Sequence, residues 1–276
     1  MNATIAILGG GNLGQAIARG LVRTGIRTPD SITITRRSEQ PLDQLRHEGF
    51  TTTTDNAAAA RNSHVIVMAV RPRQVDAVLD AIAPELDSKQ HVLISTATDV
   101  RIADIRTHVG DSVPVLRAMP NIGVAVGESM TCLACEGNTP DRAAETARAM
   151  FGALGSVALI SEDEMVPATA LCACGIAFFL RAIRAASQGG VQVGFHADQA
   201  IQLAAQTAKG AAALILAEGT HPETLIDAVT TPLGVTIAGL NEMEHQGFSS
   251  ALIRGIVESA ERAGELYGKP RSTAHR

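Results

Sequence analysis

Residues 5–21, IAILGGGNLGQAIARGL, place an apolar run, four glycines within six positions and a helix-period pattern in direct succession. A strand that passes at once into a helix commits the chain to a βα unit, which restricts the fold more than any property of composition. The same alternation runs on to residue 160. TIAIL, SITIT, HVIVMAV, HVLIST, VPVLRAM, MTCLAC and SVALI read as strands, being short, rich in β-branched residues and bounded by Gly, Pro, Asp or Asn. Between them LGQAIARGLVRTG, PLDQLRHEG, RQVDAVLDAIAPEL and VRIADIRTHVG carry helix periodicity. The pattern predicts a mostly parallel sheet with helices on both faces. NTPDRAAETARAMFGALG adds a helix with Thr139 as N-cap and Pro140 as its first residue.

After Ile160 strand-like runs stop and alanine-rich helices take over. Ser161 and Glu164 of SEDE fit a capping box, and one long helix is expected from Met165 to Gln188, with Pro167 in its tolerant first turns. Further helices are DQAIQLAAQTAKGAAALILAEG, PETLIDAVT, PLGVTIAGLNEMEHQG and FSSALIRGIVESAERAGELYG. Stretches such as AAALILA are apolar all round and must be buried, more than a small helical domain does alone. The prediction is α/β: an N-terminal Rossmann-type doubly wound sheet over 1–160 and an all-α dimerisation domain over 161–276, forming a homodimer or higher homo-oligomer. The polar tail KPRSTAHR is expected to fray.

A net charge of -5 from scattered charges, without a basic block, argues against nucleic acid as a partner. No uninterrupted apolar run approaches the ~18 residues of a membrane span, and Met1 to Thr4 leads straight into a strand, so a soluble cytoplasmic protein is expected. Cys132 and Cys135 lie three apart on a strand and point to opposite faces, and Cys172 and Cys174 lie among small apolar residues. Packing is expected of all four, with no metal site, and the C-x2-C and C-x-C spacings leave metal or redox chemistry as the alternative. His47, His64, His91, His108, His196, His221, His245 and His275 are dispersed without metal-ligand spacing.

Gly9, Gly11 and Gly14 form G-x-G-x-x-G between a strand and a helix. There glycines allow a tight turn, close approach of a pyrophosphate and close strand–helix packing, and the free N–H groups of the helix start face the phosphate. An Asp or Glu at the end of the next strand would hold the ribose hydroxyls of NAD. This chain has Arg36-Arg37-Ser38, which suits a 2'-phosphate and points to NADPH, NADH remaining usable; the alternative is a solvated pair of surface arginines. MAVRP and STA end later strands at the ligand-binding edge, where Arg71 is a cofactor neighbour or a simple strand-end charge. In VTTPLGVTIAGLNEME, Thr231 and Pro232 suit an N-cap and first turn, Gly234 leaves backbone exposed and Thr236 adds a hydroxyl. That helix start is either an anion site for a substrate carboxylate or an ordinary capped helix.

Over almost its whole length the chain resembles the pyrroline-5-carboxylate reductase family. The similar stretches are GGGNLGQAIARGL, DNAAAA, AVRP, RAMPN with VGESMT, IQLAAQTAKGAA followed by HPETL, and VTTPLGVTIAGLNEMEHQGF. The resemblance implies reduction of 1-pyrroline-5-carboxylate to L-proline by NAD(P)H. It also implies cofactor contacts at Gly9, Gly11, Asn12, Leu13, Gly14, Arg36, Ser38, Asn56, Val70, Arg71 and Ala97. Thr236, with Val235 and Gly234 beside it, would hold substrate, and Glu162 would be a further substrate neighbour.

The departures fall where substrate would bind. Leu233 and Val235 interrupt the family's S-P-G-G-T-T, and Cys172, Cys174 and Ile176 stand where the family has S-G-S-G-P-A. A related ring such as a piperideine carboxylate is therefore an alternative substrate, and a non-catalytic NADP(H) sensor an alternative role. A β-hydroxyacid dehydrogenase would need a lysine on the long helix. The chain has only Lys89, Lys209 and Lys269, none of them between Met165 and Gln188. Imine reduction needs positioning more than side-chain chemistry, and Thr236 is the expected catalytic anchor and potential donor to the ring nitrogen.

Overall fold

The computed structural model describes residues 3–137 and 139–268. The tail expected to fray, Lys269–Arg276, lies outside the described residues. In chain order the elements are β1 (Ile5–Leu8), α1 (Asn12–Arg23), β2 (Ile32–Thr35), α2 (Asp43–His47), β3 (Thr51–Thr53), α3 (Asn56–Arg61), β4 (Val65–Met68), α4 (Val75–Ile82), β5 (Val92–Ser95) and α5 (Ile102–Val109). They continue with β6 (Val115–Met119), β7 (Ser129–Cys135), α6 (Asp141–Gly152), β8 (Gly155–Ile160), α7 (Met165–Ala168), a π-helical turn (Thr169–Cys174), α8 (Gly175–Gln192), α9 (Ala197–Glu218), α10 (Pro222–Ala228), α11 (Val235–His245) and α12 (Phe248–Gly268).

The strands form one sheet in the order β3-β2-β1-β4-β5-β6-β7-β8. Every pairing is parallel except β6 with β7, which is antiparallel. The two-residue period of the strands builds a doubly wound core. Ile5, Ile7, Val65 and Val67 face one way, into a cluster with Ile17 and Leu21 of α1 and Ala147 and Phe151 of α6. Ala6, Leu8, Ile66 and Met68 face the other way, onto Ala59 of α3, Leu79 of α4 and Ile105 of α5. Because the strand order reverses beside β1, the crevice between the ends of β1 and β4 is where such a sheet takes a ligand.

The chain separates into two compact units, one reaching to Cys174 and resuming at Ser259, the other spanning Gly175–Glu258. In the second unit α8 and α9 pack together, and an added Cβ on Gly190 would lie 3.1 Å from the Ala200 Cβ, so the glycine permits their close approach. Very little else is covered: Phe179, Leu180, Val193, Ile201 and Leu216 are all exposed.

Several local expectations shift. The helix expected over Met165–Gln188 is broken by the π-helical turn Thr169–Cys174, and α6 is capped by Pro140 and starts at Asp141. The Ser161–Glu164 capping box is present, with Glu164 Oε2 accepting from Ser161 N at 2.8 Å. That bond holds the Glu164 carboxyl below the usual carboxylate range. Two helical stretches, 162–192 and 197–218, have the length and mean hydropathy (1.8 and 1.3) of a membrane span, although no uninterrupted apolar run does. Arg181 and Arg184 lie within the first and Lys209 within the second.

Candidate functional site

The motif glycines of the β1–α1 turn, Gly9, Gly11 and Gly14, stand in three different surroundings. Gly9 adopts φ +108°, and a Cβ there would sit 2.6 Å from the Ala69 carbonyl oxygen at the end of β4. A Cβ on Gly14 would lie 2.2 Å from the Gly9 oxygen and 3.0 Å from Ile7 Cγ2, so the third glycine closes the helix onto the strand. A Cβ on Gly11 would meet nothing within 4 Å. The second glycine is therefore not required by packing, and the backbone beside it is open to approach. Gly11 is the N-cap of α1 and supplies no side-chain cap, which leaves the first-turn N–H groups of Asn12, Leu13 and Gly14 available to an anion. These residues fit a pyrophosphate.

The neighbouring strand ends converge on this turn. Gly10 N–H donates to the Thr35 carbonyl at 2.7 Å, and Gly9 N–H to Thr35 Oγ1 at 3.3 Å. Thr35 Oγ1 in turn donates to Asn56 Oδ1 at 2.6 Å, tying β2 and the start of α3 to the glycine turn. Arg36 follows directly, half-buried, with its Cγ 3.1 Å from where a Gly10 Cβ would stand, while Arg37 and Ser38 are exposed. The nearby Glu39 pairs with Arg46 instead, and among the described residues neither Arg36 nor Arg37 enters an ion pair. Val70 and Arg71 follow β4, with Arg71 exposed. Ala97 is buried beyond β5, its N–H donating to Ser95 Oγ at 3.3 Å. All the sequence-predicted cofactor residues thus stand at the C-terminal edge of β1, β2, β4 and β5 or at the helix starts beside it.

Glu162, expected beside a substrate, has protein partners. Its Oε1 accepts from Arg117 Nη1 at 2.9 Å and from Ile102 N, in the first turn of α5, at 3.1 Å. Arg117, 1% exposed in the middle of β6, also donates to the carbonyls of Ala97 (3.4 Å) and Thr98 (3.2 Å). The pair fixes the segment after β5. Sequence reasoning missed Arg117, although an arginine inside the apolar run VPVLRAM was the signal that could have found it: a buried guanidinium requires a carboxylate.

In the second unit, α11 starts later than Thr231 and Pro232 suggested. Thr231–Gly234 closes a turn in which Gly234 N–H donates to the Thr231 carbonyl at 2.9 Å and Leu233 adopts φ 57°. Pro at the second position and positive φ at the third define a type II turn, which favours glycine where Leu233 stands. Gly234 is the N-cap, and a Cβ on it would lie 2.6 Å from Thr231 Oγ1. It makes no side-chain cap, so the N–H groups opening α11 are free, with Val235 and Thr236 exposed beside them.

Residues 162–266 match the family model for pyrroline-5-carboxylate reductase dimerisation, and residues 4–99 match that for NADP oxidoreductase, coenzyme F420-dependent. The chain is 49% identical over 274 residues to pyrroline-5-carboxylate reductase 1 of Dictyostelium discoideum, covering 95% of this chain and 50% of that protein. It thus spans half the length of that relative. Pyrroline-5-carboxylate reductase 2 of the same organism is 45% identical over 279 residues, covering 96% of this chain and 93% of its own. The solved structure of a pyrroline-5-carboxylate reductase from Coxiella burnetii superposes with a TM-score of 0.88 at 29% identity, covering 98% of this chain and all of that one.

Proposed function

The chain belongs to the pyrroline-5-carboxylate reductase family, and on that footing we propose that it reduces 1-pyrroline-5-carboxylate to L-proline with NADPH, NADH serving less well. The observation that carries this reading is the division of labour among Gly9, Gly11 and Gly14, which leaves an uncapped helix N-terminus beside two unneutralised arginines. Gly9, Gly11, Asn12, Leu13 and Gly14 hold the pyrophosphate. Arg36, Arg37 and Ser38 hold the 2'-phosphate, and Asn56, Val70, Arg71 and Ala97 border the rest of the dinucleotide. Bound, the dinucleotide supplies a hydride from its nicotinamide.

A protonated C=N accepts hydride without a general base, so this chain's task is orientation. The N–H groups of Val235 and Thr236 at the start of α11, opened by Gly234, hold the substrate carboxylate. Thr236 Oγ1 donates to the ring nitrogen while the imine is neutral and accepts from its N–H once it is protonated. Glu162 serves substrate binding indirectly, through its ion pair with Arg117. The exposed apolar residues of α8 and α9, together with the dimerisation model over 162–266, support a homodimer in which a second copy covers these helices. The same covering accounts for the two span-like stretches without a membrane. A soluble cytoplasmic enzyme with no nucleic-acid partner completes the reading.

The test is a panel of five- and six-membered cyclic imine acids with NADPH and with NADH, reading kcat/KM for each pair. The five-membered imine with NADPH is expected to lead, and Thr236→Ala to lower kcat/KM for it. A leading piperideine carboxylate would move the assignment to the larger ring. No NADPH oxidation with any imine would favour a sensor, and equal KM for the two cofactors would remove the role given to the arginines.

A further inference from the structure

Cys135 of β7 packs with the cluster under α1 and α6, while Cys132 points to the other face, into a cluster with Met119, Ala134, Met165 and Ala168. There the Cys132 thiol meets a cysteine from a different motif. Its Sγ lies 3.7 Å from Cys172 Sγ, across 40 residues of chain. Cys172 stands in the π-helical turn Thr169–Cys174, and its carbonyl accepts from Asn121 Nδ2 at 3.2 Å, so its backbone is held beside β7. Cys132 is buried and Cys172 is half-buried; both are free thiols.

The arrangement is asymmetric. Cys132 donates its S–H to Cys172, which favours the thiolate at Cys172 against the opposing effect of burial and brings its thiol down to about 7. The same bond, together with burial, keeps the proton on Cys132. Filling space in an apolar cluster needs neither the paired approach nor this polarity.

We propose that Cys132 and Cys172 form a reversible disulfide-forming site, with Cys172 the nucleophile toward hydroperoxides and Cys132 the resolving thiol. The Cys172 thiolate attacks one oxygen of hydrogen peroxide. The O–O bond breaks, the departing hydroxide takes a proton to leave as water, and Cys172 becomes a sulfenic acid. Cys132 then attacks that sulfur, the S–O bond breaks, and hydroxide leaves as a second water with the proton Cys132 gives up. Two thiols and one peroxide yield one disulfide and two waters. The sulfurs must close from 3.7 Å to about 2.05 Å, and the π-helical turn is the irregular segment able to take up that shift.

The experiment treats the full chain with hydrogen peroxide, blocks the remaining thiols under denaturing conditions and maps the peptides by mass. The expected result is one peptide pair joining Cys132 to Cys172, two hydrogens lighter than the reduced pair and separated by dithiothreitol. In Cys132→Ser, dimedone should label Cys172. Full alkylation of both residues after peroxide treatment would overturn the proposal, as would a bridge through Cys135 or Cys174, or one between chains. The wild-type map decides the matter even if the variant fails to fold.

Discussion

The two compact units use similar apolar contents in opposite ways. In the first, side chains alternate along the strands, and each face of the sheet is covered by helices of the same unit. In the second, α8 and α9 pack on each other, with Gly190 against Ala200, while Phe179, Leu180, Val193 and Leu216 remain exposed. A βα alternation completes its own burial, because each crossover helix returns to the sheet that produced it. Helices apolar all round do not, and their stability is linked to the concentration of whatever covers them.

The largest expected effect is internal to the first unit. Arg117→Met should cost about 3 kcal/mol in urea unfolding, at any protein concentration, by leaving the half-buried Glu162 carboxylate without its cation. A cost below ~1 kcal/mol would show that this unit is not held by the pair. Next, hydrogen exchange followed on dilution should separate the units. Protection of α8 and α9 should fall roughly threefold for each tenfold dilution above the dimer constant, and level off below it, while β1, β4 and β5 hold; concentration-independent protection of both would break the comparison.

A smaller effect sharpens it. Leu233 pays ~1–2 kcal/mol for its left-handed backbone, and glycine would return ~0.5–1 kcal/mol of that as chain entropy, so Leu233→Gly should stabilise by about 0.5 kcal/mol. An unchanged or lowered melting temperature would contradict the strain. Least is expected from His91, whose imidazole burial holds below its ordinary value of 6.5. The unfolded chain takes up that proton before the folded one, so stability is full above about pH 6.5 and declines as pH falls through it. His91→Asn keeps an acceptor for the Asp87 N–H and should flatten the slope measured by melting at successive pH values.

What was legible from sequence was local. Ile5 and Ile7 against Ala6 and Leu8 announced a strand buried on both faces, and the glycines announced the turn after it. Thr51–Thr53 forms an edge strand on β2 with no apolar residue to signal it. Thr231 has the chemistry of an N-cap, yet the positive φ of Leu233 closes a turn first and moves the helix start to Gly234. The partners of Arg117 and Cys132 lie 45 and 40 residues away, beyond any periodicity. Distant pairs of this kind are set by the finished fold, so the pairing of Glu162 with Arg117 could not be read from the chain.

The glycine turn is tested most directly by Gly11→Ala. The added methyl enters open space, and the backbone at φ -75° and ψ -169° accepts alanine. The lost N-cap preference and the gained chain rigidity offset within ~0.5 kcal/mol, so the melting temperature without cofactor should hardly move. Calorimetric titration with NADPH should show affinity down at least tenfold, about 1.4 kcal/mol, because the methyl stands where the pyrophosphate approaches. Unaltered affinity would mean that the phosphate lies elsewhere and would contradict the account.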